Sequence, residues 1–198
     1  MRRLRIACGL ALAASLGGCA VIPGFGPPPI DAYELGSPRV ESGRRLARTQ
    51  ILVAEPGALK VFDGENIVVR TQNGAVQFLS GARWADNLPK LVQAKLSTAF
   101  QSTDALGGVG TPGDGLAIDY QIIPEIRAFE IRVDGNQTAF VEIYVRVLND
   151  RTGVVRASHT FVAGAPVSGS GNNAYFRALD DAFQIAAADI VSWSLDRL

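Results

Sequence analysis

From residue 138 to residue 148 the chain alternates. Val141, Ile143, Val145 and Val147 take every second position, with Glu142, Tyr144 and Arg146 between them. Successive side chains of a strand point to opposite faces, so the pattern predicts a strand with one buried face and one wetted face. Similar runs at residues 116–133 and 154–163 flank it, joined through Asp134-Gly135 and Asp150-Arg151-Thr152-Gly153. Together they predict an antiparallel meander. In the first run the apolar phase flips, from Leu116, Ile118, Tyr120 and Ile122 to Phe129, Ile131 and Val133. A slip of one residue reverses the faces of a strand, so a bulge or bend is expected between Pro124 and Phe129.

Earlier in the chain, "AYELG" (32–36) and "TQILVAE" (49–55) are strand-like, with "SPRVESGRRLAR" between them. "NIVVRT" and "AVQFLS" predict a hairpin turning at Gln72-Asn73-Gly74. The period then changes. Within "RWADNLPKLVQAKLSTAF" (83–100), Trp84, Leu88, Leu91, Val92, Leu96, Ala99 and Phe100 recur at three and four, which predicts an amphipathic helix. Pro89 suits its first turn, where backbone N–H groups have no helical partner. "LGGVGTPGDG" (106–115) is expected to be a flexible connection. A second helix is expected from about Asn173, with Phe176, Leu179, Phe183, Ala186, Ala187, Ile190 and Ser194 on one stripe. The predicted fold class is α+β: an antiparallel-rich sheet with two main helices packed on one face, in a single domain over residues 32–198.

Residues 1–31 follow another logic. Arg2, Arg3 and Arg5 precede an apolar stretch at 6–16, and Leu16-Gly17-Gly18-Cys19 follows with small residues. That is the layout of a secretory signal peptide over residues 1–18, and its ending resembles the lipobox of bacterial lipoproteins. Cys19 is thereby the expected lipid-attachment residue, its palmitate-type chains holding the mature N-terminus in a membrane. An uncleaved transmembrane anchor is the alternative; Gly9, Gly17 and Gly18 weaken such a helix and Pro23 ends it. Either places the body outside the cytoplasm, since the arginines stay inside. Multiple acylation gives stable anchoring, at about 0.8 kcal/mol per buried CH₂. Ala20 in place of aspartate leans towards the outer membrane. Residues 19–31 then form a Pro/Gly tether, whose twelve residues after Cys19 reach roughly 35 Å at most.

Composition narrows the chemistry. Of 198 residues, 47% are apolar and 19% charged, a globular balance. Net charge is zero, but three of the 19 basic residues lie in the leader, leaving a mature body near −3. Such a body has no reason to bind nucleic acid. Cys8 and Cys19 are the only cysteines, so the body holds no disulfide, thiolate metal site or cysteine nucleophile. His159 is the only histidine; it alternates with Ala157 and Phe161 and is expected to be partly buried on the apolar face. Ser158 adjoins it, but no nucleophile elbow is present. Gly108 to Gly113 spell G-x-G-x-x-G, yet a helix precedes and a strand follows, the wrong context for a dinucleotide. Asp86, Asp180 and Asp181 are expected on solvated helix surfaces. No metal site, cofactor or catalytic residue is expected. Arg39, Arg44, Arg45 and Arg48 form the one basic cluster, a candidate contact with anionic headgroups or an acidic partner.

With these elements in order, the chain resembles the ABC-type transport auxiliary lipoproteins. The resemblance is carried by Tyr33-Glu34-Leu35 after the tether and "ILV" at 51–53. It continues through "IVVRTQNGAVQFLSGARWADNLPKLVQAKL" at 67–96 and "DYQIIPEIRAFEI" at 119–131. It implies a non-enzymatic, periplasm-facing accessory subunit of an ABC transporter whose substrate-binding component carries a mammalian-cell-entry (MCE) domain. Such systems are expected to move phospholipid or other apolar molecules between membranes. Two other readings stay open: a lipid carrier with its own cavity, and a lipoprotein activator of a cell-wall enzyme.

Overall fold

The structure, a computed structural model, describes residues 29–40 and 44–198. In chain order these form β1 (Asp31–Tyr33), β2 (Leu46–Val53), β3 (Gly57–Ala58), β4 (Asn66–Arg70), β5 (Val76–Trp84), α1 (Leu88–Ser102), β6 (Leu106–Gly110), β7 (Tyr120–Arg132), β8 (Thr138–Asn149), β9 (Val154–Pro166) and α2 (Asn172–Leu195). The fold is α+β, with a nine-stranded, mostly antiparallel sheet that includes parallel pairs.

β7 organises the sheet. On one edge it pairs antiparallel with β8 over twelve residues, and β8 pairs likewise with β9, the expected meander. On its other edge three short strands dock in succession, all parallel to it: Ile51 of β2 opposite Tyr120, Gly57 of β3 opposite Glu125, and Val68 of β4 opposite Glu130. β6 lies outside β2, β5 outside β4, and β1 outside β5. Pro124 sits inside β7 without breaking it. The carbonyl of Ile122 accepts from Ala54 N–H on the docking edge. Two residues on, the nitrogen of Pro124 faces the same edge, in the gap between β2 and β3, where no ladder bond is lost.

The expected bulge is at Arg127. Ile126 pairs with Ile143 and Ala128 with Glu142, leaving Arg127 over. Ile122 and Ile126 before it and Phe129 and Ile131 after it are therefore all buried. A second bulge, at Arg156 between the pairs Val147–Ala157 and Leu148–Val155, has no signal in the alternation.

α2 packs on β7, β8 and β9, and α1 on β2, β6 and α2. At the centre the ring of Phe129 meets Trp84 edge-on at 5.6 Å and Phe183 at 6.0 Å. Pro89 stands in the first turn of α1, as its missing N–H requires.

Three local expectations need correction. Trp84 closes β5 instead of entering the helix, since Asp86 and Asn87 intervene before Leu88. Of "AYELG", only the first two residues are strand; after Tyr33 the chain leaves the sheet. Residues 106–110 are a strand in place of a flexible connection. Gly107 explains why a glycine-rich run can pair here: a Cβ on it would lie 2.5 Å from the carbonyl oxygen of Ala47, on β2. Gly107→Ala is expected to push β6 away from β2 and cost about 1–3 kcal/mol, the usual range for overpacking. A urea titration with unchanged slope reads that cost; an unshifted midpoint would mean that β6 contributes nothing to the cooperative unit.

Candidate functional site

The first strand is fastened at several points. Tyr33 lies opposite Trp84, its ring stacks on Phe176 at 4.6 Å, and its hydroxyl donates to Asn173 Oδ1 at 2.8 Å. Burial pushes the Tyr33 phenol pKa up, and the charge of Asp31 adds to the shift. Residues 34–40 then cross both helices as a strap. Glu34 pairs with Lys95 of α1 at 2.6 Å, Leu35 is buried, and Gly36 N–H donates to Asp180 Oδ1 of α2 at 2.7 Å. A side chain on Gly36 would have to displace the Gln184 amide and crowd the Asp180 carboxylate that holds the strap. The hydrogen bond from Lys95, aided by its charge, holds the Glu34 carboxyl below its ordinary pKa. A depressed carboxylate pKa contributes stability above the ordinary value and loses it as pH falls through the depressed one. The strap's link to α1 thus persists at neutral pH and opens only in acid.

The strap ends among the arginines. Arg39 lies on α2, exposed, lining a surface cavity of about 520 Å³ with Ser37, Gln184, Ile185 and Ala188. Arg44, Arg45 and Arg48 are exposed at the start of β2. Because β2 runs parallel to β7 with Ile51 opposite Tyr120, residues 44–48 project past the beginning of β7. The first strand sits elsewhere: Asp31 lies opposite Ala82, and Asn66 opposite Arg83, level with the far half of β7. At 3.3 Å per residue, and allowing for the bulge in β2, the three arginines stand roughly 35–45 Å from Asp31, measured along the strands.

An ionic cluster that sequence reading passed over lies on the other face of the sheet. Glu130 is fully buried, and its Oε1 accepts from Arg70 Nε at 2.7 Å and Arg132 Nε at 3.0 Å. Arg70 Nη2 also stands 2.7 Å from Oε2, though no N–H is aimed at that oxygen. The bond to Glu130 raises the Arg70 pKa, so the guanidinium keeps its proton. Arg132 lies 3.4 Å over the ring of Phe140, and Arg127 4.2 Å over that of Tyr144. Only register brings Arg70 and Glu130 together, and local pattern does not encode register.

The remaining candidates do not assemble into a reactive centre. His159 faces α2 as expected, against Phe161 at 4.8 Å and Trp193 at 5.9 Å, but at the open edge of β9 it is exposed, not partly buried. It lines a shallow cavity of about 350 Å³ with Asp189, Trp193, Asp196 and Arg197. Ser158, next in the strand, points to the opposite face. Asp86 and Asp181 are solvated, whereas Asp180 is half-buried and holds the strap. Gly108 to Gly113 span the end of β6 and a turn, with no helix before β7. Among the described residues no three His, Cys, Asp or Glu side chains could together hold a metal, and no helix is long and apolar enough to cross a membrane. Cys19 lies outside the described residues.

A family model for "ABC-type transport auxiliary lipoprotein component" matches residues 33–191. An uncharacterized protein of Bradyrhizobium diazoefficiens is 27% identical over 167 residues, which is 82% of this chain but only 44% of that protein. The chain therefore spans less than half of that relative. The crystal structure of protein XCC0632 from Xanthomonas campestris superposes with a TM-score of 0.79 at 25% identity, covering 84% of this chain and 95% of that one. The PelC dodecamer subunit from Paraburkholderia phytofirmans shares the fold more distantly, with a TM-score of 0.50 at 10% identity over 77% of this chain and 93% of its own.

Proposed function

This chain belongs to the ABC-type transport auxiliary lipoprotein component family, and from that premise we propose that it is a non-enzymatic subunit serving an ABC transporter from the periplasmic side. Cys19 carries the acyl chains, in the outer membrane, and the tether that follows joins them to the body. The partner is the transporter's MCE-domain substrate-binding component, and the material passed between membranes is phospholipid or a similarly apolar molecule. A body of this kind needs a surface that recognises and a scaffold that is rigid, and it needs no reactive group.

The observation that carries the reading is the placement of the arginines at the end of the sheet away from the tether. A protein that bridges a membrane to a partner requires its recognition surface at the far end. Arg44, Arg45 and Arg48 there, with Arg39 on the strap leading to them, suit an acidic partner better than the headgroups next to the anchor. Both helices lie on one face of the sheet in this reading, and the space between is filled: Trp84, Phe100, Phe129, Phe183 and Ile190 are each at most 1% exposed. A filled interior supports an accessory role over a lipid carrier.

Crosslinking in cells, purification in mild detergent and mass spectrometry test the proposal. An MCE-domain subunit is expected among the retained partners. Reversing Arg39, Arg44, Arg45 and Arg48 to glutamate is expected to lower its capture about tenfold or more, as loss of complementary charge does, while leaving membrane attachment intact. Undiminished capture would remove the arginines from the interface, and recovery of cell-wall enzymes instead would overturn the transporter reading.

A further inference from the structure

The β4–β5 hairpin extends past its neighbours. β1 covers β5 only from Ala82 to Trp84 and Asn172 of α2 donates to the carbonyl of Ser80, so residues 76–79 form the free edge, and of these only Leu79 is even half-buried. Yet this exposed arm is apolar: Phe78 is 52% exposed and Val76 is 41% exposed. Ile30, 59% exposed, immediately precedes the short β1 that lies beside the same strand. An apolar arm in water is a liability unless something covers it. The chain's own tether is a poor cover, because Pro27, Pro28 and Pro29 have no N–H to extend β1 along the free edge.

The direction of the chain identifies what does cover it. β1 runs parallel to β5, so Pro29 and Ile30, ahead of Asp31, lie on the side of the hairpin tip, and on the lipoprotein reading it is this end of the chain that leads to the acylated residue. The arginines flanking the arm point the same way. Arg70 and Arg132, whose side chains are 36% and 34% exposed, lie on the same face as Phe78, and the carboxylate between them is buried. The turn that joins β4 to β5, residues 71–75, carries no acid. Asp31 and Asp134 are the acidic residues nearby, one in β1 and one in the β7–β8 turn. Apolar side chains bordered by guanidinium groups are the composition of a surface that sits at the headgroup level of a bilayer.

We propose that the distal half of β5, with Phe78 and Val76 leading and Ile30 beside them, rests in the interface of the phospholipid bilayer that holds this chain. The proposal takes the lipoprotein reading as its premise and adds an orientation: hairpin end down, arginine end away. The body then stands on its membrane by two attachments, the anchor and the arm, so the tether does not leave it free to tumble.

The test uses the full-length protein in vesicles of phosphatidylethanolamine and phosphatidylglycerol containing a spin-labelled quencher lipid. The body has no cysteine beyond Cys19, so Phe78→Cys and Val162→Cys each accept one fluorophore. Val162, 58% exposed on β9 at the opposite edge, is the control. Quenching at position 78 is expected to exceed that at position 162 by about threefold or more, with a blue-shifted emission, as for side chains lying a few ångströms into the acyl boundary. Equal quenching at the two positions overturns the proposal. So does a label at 78 that stays in water in vesicles but becomes protected in native envelopes, which would assign the arm to a protein partner. The mass of the N-terminal peptide, measured on the same sample, reports separately on acylation. An unmodified Cys19 would end the lipoprotein premise, and Phe78→Cys in a Cys8→Ser, Cys19→Ser background then decides whether the arm meets lipid.

Discussion

Replacing Arg70 and Arg132 together with alanine is expected to destabilise the body by about 3–5 kcal/mol, the range for stranding a buried charge without its partners. The carboxylate of Glu130 is 1% exposed and takes its charge-assisted hydrogen bonds from those two guanidinium groups. Without them, a buried anion has neither water nor counter-charge. Either single variant is expected to cost less, because the remaining arginine still compensates it. Glu130→Gln is the milder change as well: the arginines it frees are about a third exposed and turn towards solvent. Urea midpoints at neutral pH read that cost. A double variant as stable as the parent would show that Glu130 finds other compensation.

Much of this fold is written in the local pattern. The strict alternation of Val141 to Val147 and the flip between Ile122 and Phe129 locate a long strand and its bulge, because both follow from period and phase. The hairpin at Asn73-Gly74 is equally local; Gly74 has a φ of 75°, which the turn needs and glycine supplies. What local pattern does not carry is pairing. That β2, β3 and β4 dock one after another on β7, all parallel to it, depends on contacts between residues some seventy apart in sequence, and no spacing rule announces them. β6 escaped for a different reason. Glycine disfavours strands in isolation, but Gly107 is there because the neighbouring backbone comes too near for any side chain. Trp84 satisfies helical spacing with Leu88 and yet ends a strand, since a large apolar residue just before a helix fits either period. The arginines at 39–48 are visible as a cluster, but the position of Arg44, Arg45 and Arg48 at the end of the sheet away from β1 emerges only from the register of β2 on β7. Phe78 and Glu130 drew no notice for the same reason. One is apolar in a strand that reads as ordinary, the other acidic in a strand that reads as amphipathic, and only the assembled sheet shows the first uncovered and the second enclosed.

Trp84→Ala is expected to cost about 3–5 kcal/mol, the range for truncating a large aromatic in a core, and to loosen one part of the molecule before the rest. Trp84 is among the largest fully buried side chains and stands in a row of rings: Tyr33 stacks on Phe176, Phe176 meets Trp84 at 6.4 Å, Trp84 meets Phe129, and Phe129 meets Phe183. The row joins β1, α2, β5 and β7. β1 has only three residues paired to β5, so its order depends on this packing far more than on its ladder. Hydrogen exchange should show residues 31–36 losing protection in Trp84→Ala beyond the global change. Phe100→Ala, a truncation at an equally buried site in α1, serves as the control and should leave that segment as protected as its overall stability allows. Equal loss in both variants would mean that the aromatic row does not hold β1 in particular. The distinction bears on the proposed function, under which the pull of an anchor at Cys19 would enter the body at β1. On that proposal, freeing residues 31–36 would add up to about 20 Å of slack between anchor and body, and an arginine end that must meet a partner at a set distance from the membrane would be held there less closely.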